Sequence, residues 1–348
     1  MKNHLYRISG TLAVTFVAAA SAAADEHATF VLTSTNAAAN EVLVFQLIPG
    51  QTQMPLVQTL ATEGAGGAGG NAGILQFRDG LGAVANYGSN TVSRLVRDED
   101  SISVGQIIKL APGCTQPDSV ALTQDHLFVV GVNCAESHAW PAGHVDGRVV
   151  RSIPDVSAAQ IVAGESWAAV TLKSGSVLQL PLTDEGALKG TSSPVTLPSG
   201  ANNTPLGAAF WGDILGFNPA HSPDSFALVN KNREVFPVLG PQPPYPGNAP
   251  CWLAKGPGNL WYSGNSPGQA VSIFFSDGQG GTFYKSVALP GVPTDITVSA
   301  DGKWLAVIYT AGGEGYIATF AIDAYGDLSL AATAATGVAS ASGVAFSQ

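Results

Sequence analysis

Seven positions end strand-like runs at nearly constant intervals along this chain. They are Asn36, Asn86, Asn133, Thr171, Asn218, Asn265 and Thr310, separated by 50, 47, 38, 47, 47 and 45 residues. After five of them a Val or Tyr of the next strand-like run follows six positions later, as in Asn86–Val92, Thr171–Val177 and Asn265–Val271. The other two carry longer connections, "CAESHAWPAGHVDGR" after Asn133 and "PAHSPDS" after Asn218. Two short apolar runs precede a typical marker ("SVALT…HLFVVGVN", "WLAKG…LWYSGN"), and one or two follow it. A repeat of about 40–50 residues built from four short strands is the period of a propeller blade. The first marker has one strand before it, "ATFVLTST", and the chain finishes on an unpaired run, "SGVAFSQ". Pairing the two completes a blade. The reading is therefore an all-β, seven-bladed β-propeller, closed by its C-terminal strand against the N-terminal strands so that no sheet edge is left open.

Composition agrees. The 348 residues are 45% hydrophobic and 11% charged, with 41 Gly and 22 Pro, as many short strands and tight turns require. A net charge of −10 from only 15 Lys and Arg leaves no basic surface for phosphate backbones, so nucleic acid is excluded as a partner. The N-terminus reads as a secretory signal over residues 1–24: basic "MKNHLYR", apolar "ISGTLAVTFVAAASAAA" and an A-x-A site at Ala24. The propeller then occupies 25–348. No later apolar run is long enough to span a bilayer, so stable membrane insertion is not expected. The expected location is secreted or periplasmic, where Cys114 and Cys134 are positioned to form a disulfide and Cys251 is left as a buried, inert thiol.

"APCWLAKGPGNLWYSGNSPGQAVSIF" resembles a blade of the lactonase (3-carboxymuconate cyclase-like) family of seven-bladed propellers, with Cys-Trp at the start of its inner strand. "TDITVSADGKWLAVIYTAGGEGYIATFAIDAYGDLSLAATAAT" is similar to that family's last blade, and "GILQFRDGLGAVANYGSNTVSRL" fits the second. The resemblance covers about residues 28–348. It implies chemistry on a lactone ring, either hydrolysis or lactonising cyclisation. No motif carries a family catalytic residue onto a position of this chain.

In a propeller the segments leading into each inner strand and the loops between second and third strands share one face, around the central channel. Here those positions bring Asn36, Asn71, Asn86, Asp118, Gln160, Lys173, Trp252, Asn265 and Asp295 toward one mouth. Asn86, Asp118, Trp252, Asn265 and Asp295 are the expected substrate contacts. The two long connections add ionisable groups. Lactone hydrolysis needs a base for water and a donor for the developing oxyanion. His138 or His144 with Arg148 in the first connection, and His221 beside Asp224 in the second, have the right chemistry. The spacing of His138, His144 and Asp146 matches no zinc pattern, so no metal and no cofactor are expected. "GAGGAGGN" (64–71) lacks the Lys and Ser/Thr of a phosphate loop and reads as a flexible connector. The partner is a small molecule, and the closed ring is expected to be a monomer. The competing reading is a non-catalytic extracytoplasmic propeller that binds a small ligand or a protein.

Overall fold

The apolar runs of the repeat become antiparallel strands because β-branched and aromatic residues fit a pleated surface that neighbouring sheets can cover. The computed structural model describes residues 28–150, 153, 157–198, 204–220, 225–239 and 249–348; the expected signal segment and His221 with Asp224 lie outside them. The described residues form seven four-stranded sheets. Their inner strands, blades one to seven, are Ser342–Ser347, Leu75–Arg78, Pro117–Leu122, Ala158–Ala163, Pro205–Trp211, Pro250–Lys255 and Val292–Val298. Consecutive inner strands contact one another around the ring, so together they enclose a central channel. Blade one is closed as expected: Ser342–Ser347 pairs antiparallel with Thr29–Ser34, with Val31 opposite Phe346 and Leu32 opposite Ala345.

Burial follows position in the blade. The second strands His126–Gly131, Trp167–Leu172 and Leu260–Asn265 are buried at every residue, because blades cover both of their faces. The outer strand Leu56–Ala61 is largely exposed. Between blades six and seven, Trp252, Tyr262 and Ile273 share a cluster with Leu305, Val307 and Phe320. Each such side chain removed from water contributes about 1.5–3 kcal/mol.

Three of the recurring polar markers, Asn86, Thr171 and Asn218, fasten blade to blade. Thr171 Oγ1 donates to Leu206 O of the next inner strand (2.6 Å), and Asn218 Nδ2 donates to Trp252 O (2.8 Å). Asn86, fully buried, accepts from Thr62 Oγ1 (2.8 Å) and Asn40 Nδ2 (3.0 Å) and donates to Ser93 Oγ (2.7 Å). Only Asn36 takes a left-handed conformation, at φ 51°, as expected of Asn at a turn.

One sequence expectation is corrected. The connection after Asn133 is the outer half of blade three, with strands Ala135–Ala139 and Val145–Val150. Its polar residues look loop-like in sequence but satisfy one another. Fully buried Glu136 accepts from the Ala111 amide (3.0 Å) and from His138 Nε2 (2.8 Å). The expected disulfide is present: Cys114 and Cys134 are bonded, their Cα atoms 5.6 Å apart.

Candidate functional site

The inner strands reach the channel through irregular starts. In blades three, four, five, six and seven the register with the second strand shifts near the first residues, around Asp118, Ala159, Leu206, Cys251 and Thr294. Such bulges bend a strand and re-aim its side chains. The channel mouth is thus ringed by short chain segments that differ from blade to blade.

Across this mouth runs the glycine-rich segment 64–73, where sequence alone suggested a flexible connector. Asn36 grips it: Oδ1 accepts from the amides of Gly67 (2.7 Å) and Ala68 (3.1 Å), and Nδ2 donates to Ala68 O (2.7 Å). Lys173 of blade four donates to Gly69 O (3.2 Å) and Asn71 Oδ1 (2.6 Å). The Ala72 amide bonds Ala159 O of blade four (3.2 Å), and the Gly73 amide donates to Asp295 Oδ2 of blade seven (3.1 Å). The strands of blade two pack against their ring neighbours, blades one and three, whereas this segment bonds blades four and seven, so it lies over the axis. It is a strap across the channel. Glycine is needed at the end of the strap: Gly73 has φ +68°, and a Cβ there would sit 3.0 Å from Ser119 Oγ and 3.2 Å from Gln160 Nε2.

Two carboxyl groups hold the strap from below and beside it. Asn71, 2% exposed, donates to Asp118 Oδ1 (2.6 Å) while its own oxygen takes the Lys173 ammonium. Burial pushes the Asp118 carboxyl up to about 6, against the nearby Lys173 charge and the Asn71 bond, which pull it down. Burial lowers the Lys173 ammonium in turn, and Asp118 partly restores it. Asp295 is 5% exposed. Burial pushes its carboxyl up to about 7, opposed by the amides of Gly73, Ile296 and Val344.

Beneath the strap lies a lumen of about 250 Å³. Asp295, Gln160 and Gln76 line its strap end, and Lys255 and Phe210 line it toward the far ends of the inner strands. Gln160 Oε1 accepts from the Ala208 amide (2.6 Å), which fixes the side chain with Nε2 toward Gly73; among the described residues Nε2 has no acceptor. Lys255 Nζ donates to Gly256 O and Gly258 O (both 2.6 Å) and lies over the Trp211 and Trp261 rings, 5.0 and 5.5 Å from their centroids. Its burial lowers the ammonium to about 8.

The structure separates the residues singled out from sequence. Asp118 and Asp295 come together at the strap, one through Asn71 and one through Gly73. Trp252 is held between blades, its Nε1 donating to Pro293 O (2.7 Å) and Ser266 Oγ (2.9 Å). Asn265 Nδ2 donates to Ser272 Oγ (2.7 Å), and Asn86 has the partners given above. His138 is fully buried inside blade three, its ring nitrogens 2.8 Å from Glu136 Oε1 and 3.3 Å from Gly143 O. His144 and Arg148 are exposed at the outer edge of that blade, on or next to its fourth strand. These three residues do not meet at the mouth, because their segment runs outward as strands. Sequence reasoning missed the strap and Gln76. The available signal was a Gly-rich run ending in Asn-Ala-Gly directly before an inner strand.

No family model matches the chain, and no curated protein matches it. Among solved structures, a protein from Lactobacillus plantarum superposes with a TM-score of 0.70 at 15% identity, over 92% of this chain and all of the other. The periplasmic gluconolactonase of Pseudomonas aeruginosa superposes at 0.67 and 14% identity, over 92% of this chain and 99% of its own. A candidate 6-phosphogluconolactonase from Bacteroides fragilis gives 0.63 at 13%, over 93% and 99%. What they share is the fold. Seven-bladed propellers of lactonase type are therefore structural neighbours of this chain, and at such identities the likeness carries the architecture and not the reaction.

Proposed function

We propose that this protein is an exported lactone hydrolase whose reaction takes place in the lumen beneath the strap. The observation that carries the reading is Asp295, a buried carboxyl poised near neutral pH, lining the lumen with a Gln160 amide whose N–H groups are uncommitted. A base with a pKa near the working pH combines a useful ionised fraction with useful proton affinity. In the reaction, ionised Asp295 takes a proton from water as the water oxygen attacks the lactone carbonyl carbon. Gln160 Nε2 donates to the carbonyl oxygen as it gains negative charge. The ring C–O bond then breaks, and the proton passes from Asp295 to the departing ring oxygen. The product is the open hydroxy acid, which releases its carboxyl proton to solvent.

The lumen is smaller than the 300–1,000 Å³ or so of a drug-sized pocket. A single hydroxylated ring fits that scale, with Gln76 and Gln160 available to its hydroxyls. Asp118, Asn71 and Lys173 are positioning residues in this account. They hold the strap and, through Gly73, one oxygen of Asp295. Export is supported by the signal-like N-terminus and by the Cys114–Cys134 disulfide, a bond that persists in oxidising compartments. Among the described residues no helix is long and apolar enough to cross a membrane.

The strap favours a second reading, because it lies over the mouth: a propeller that binds a small ligand without turning it over. Proton release at constant pH on a panel of aldono-, aryl and aliphatic lactones separates the two. Turnover by the native protein that Asp295→Asn lowers at least about a hundredfold supports hydrolysis, the loss expected for a general base. Saturable ligand binding without proton release supports the binding reading and overturns the enzyme.

A further inference from the structure

Cys134, Glu136 and His138 alternate along blade three. Glu136 and His138 lie on the strand Ala135–Ala139 and Cys134 directly precedes it, so their side chains face one side of the sheet. Ser137 turns the other way, its Oγ accepting from the Leu188 amide (3.1 Å). Cys114 reaches the same side as Cys134 from the connection between blades two and three, and the two are bonded. All four side chains, Cys114, Cys134, Glu136 and His138, are buried.

Their donor atoms converge. Cys114 Sγ, Cys134 Sγ and a Glu136 carboxylate oxygen all lie within 4.8 Å of one another. Tetrahedral zinc holds thiolates at about 2.3 Å and carboxylate oxygens at about 2.0–2.2 Å, which puts its ligand atoms about 3.5–3.8 Å apart. The disulfide draws the sulfurs inside that spacing and closes the site; reduction opens it. The carboxylate is already oriented. The Ala111 amide donates to Glu136 Oε2 (3.0 Å) and Oε1 (3.2 Å), and His138 Nε2 lies 2.8 Å from Oε1. The other ring nitrogen faces Gly143 O at 3.3 Å, which fixes the imidazole in turn. Partners of this kind orient the carboxylate ligands of metal sites. A disulfide has no charge to neutralise and no hydrogen to donate, so it gives a buried carboxylate beside it nothing. Entry is available as well: Cys114 follows exposed Pro112 and Gly113 on a turn closed by its own amide on Ala111 O (2.9 Å). Its sulfur can part from Cys134 without disturbing a strand.

We infer that the reduced protein binds one zinc ion here, with Cys114, Cys134 and Glu136 as ligands and His138 as a positioning residue. This corner between blades two and three is then closed by the disulfide under oxidising conditions and by the metal under reducing ones. The exchange balances with a dithiol as reductant. The S–S bond breaks as the dithiol passes two electrons and two protons to the sulfurs and closes to its own disulfide. Zn²⁺ then displaces both thiol protons to solvent. None of these residues lines the lumen, so the metal site stands or falls apart from the lactone chemistry.

The test is titration of the purified protein, reduced with dithiothreitol and freed of it without oxygen, first with Co²⁺ as a spectroscopic probe and then with Zn²⁺. One Co²⁺ per chain should bind with thiolate-to-cobalt absorption in the near ultraviolet, and Zn²⁺ should displace it. The oxidised protein should show neither. Zn²⁺ should raise the thermal transition of the reduced protein and leave that of the oxidised protein unchanged. Glu136→Gln and His138→Gln should each weaken Zn²⁺ binding about tenfold or more, with circular dichroism checking the fold. Cys114→Ser/Cys134→Ser retains the buried thiol of Cys251 and should abolish the cobalt band. A reduced protein of native circular dichroism without that band would overturn the inference. So would a reduced protein that unfolds and is not restored by Zn²⁺, a band that survives in the double cysteine variant, or an affinity unchanged in both Glu136→Gln and His138→Gln.

Discussion

Replacing Asp295 by Asn should stabilise this protein at alkaline pH while removing its proposed base. The carboxyl has an ordinary value of 3.8 and is pushed by burial to about 7 in the fold. Between those values the unfolded chain has released the proton and the folded chain still holds it, so stability falls as pH rises. The favourable contribution is fully present below about pH 4 and is lost by the time pH passes about 7. At about 1.36 kcal/mol per pH unit, the whole span is worth about 4 kcal/mol, and about 3 kcal/mol of it falls between pH 5 and pH 8. Asn keeps the size of Asp, and its side-chain oxygen can still accept from the Gly73 amide, which now lies 3.1 Å from Asp295 Oδ2. Its own stability does not include this titration. Urea unfolding of both proteins at pH 5 and pH 8 isolates the effect, because all other carboxylates are common to the two. The native protein should lose about 3 kcal/mol relative to Asp295→Asn over that range, or about 5 °C in Tm. A difference that stays constant with pH would refute the placement of Asp295 as a buried, proton-holding carboxyl.

Other consequences are more local. Lys173→Met removes the donor to Gly69 O and Asn71 Oδ1, so amide exchange along 67–73 should speed up by about tenfold or more while exchange in the blade cores is unchanged; equal rates in both proteins would show that Lys173 does not hold the strap. Cys114→Ser/Cys134→Ser opens a loop of 20 residues and should cost about 3 kcal/mol in denaturant unfolding; a loss under 1 kcal/mol would mean that Glu136 and the packing of blade three hold that corner without the bond. Trp261→Ala empties a fully buried site between Phe226 and Lys255 and should cost about 3–5 kcal/mol, against no more than about 0.5 kcal/mol for Tyr325→Ala on the exposed surface.

The ring was legible in the sequence because a short polar residue, Asn or Thr, recurs at the end of each second strand at the blade period. Thr171, Asn218 and Asn86 recur at the blade period since each ties its strand to neighbouring backbone or side chains, and that requirement repeats with the fold. The closing pair, Thr29–Ser34 with Ser342–Ser347, followed from counting strands at the two ends. The site was legible only in part. Asp118, Asp295, Gln160, Asn71 and Lys173 were identifiable as mouth positions from their place before or between strands. Their burial, which gives the two acids their properties, depends on the strap, and the path of the strap depends on bonds between residues as far apart as Gly73 and Asp295. The placement of His138 and His144 was less legible, for the opposite reason. Glu136 and His138 read as loop chemistry in the sequence, but they lie buried in a strand of blade three, 2.8 Å apart.

The central claim is that Asp295 works as a base in the lumen, and the pH dependence of kcat/KM for lactone opening tests it most directly. kcat/KM should rise with pH through about 7 and then level off as Asp295 becomes fully ionised, with that rise absent in Asp295→Asn. A profile flat from pH 5 to pH 8, or the same rise retained in Asp295→Asn, would contradict it.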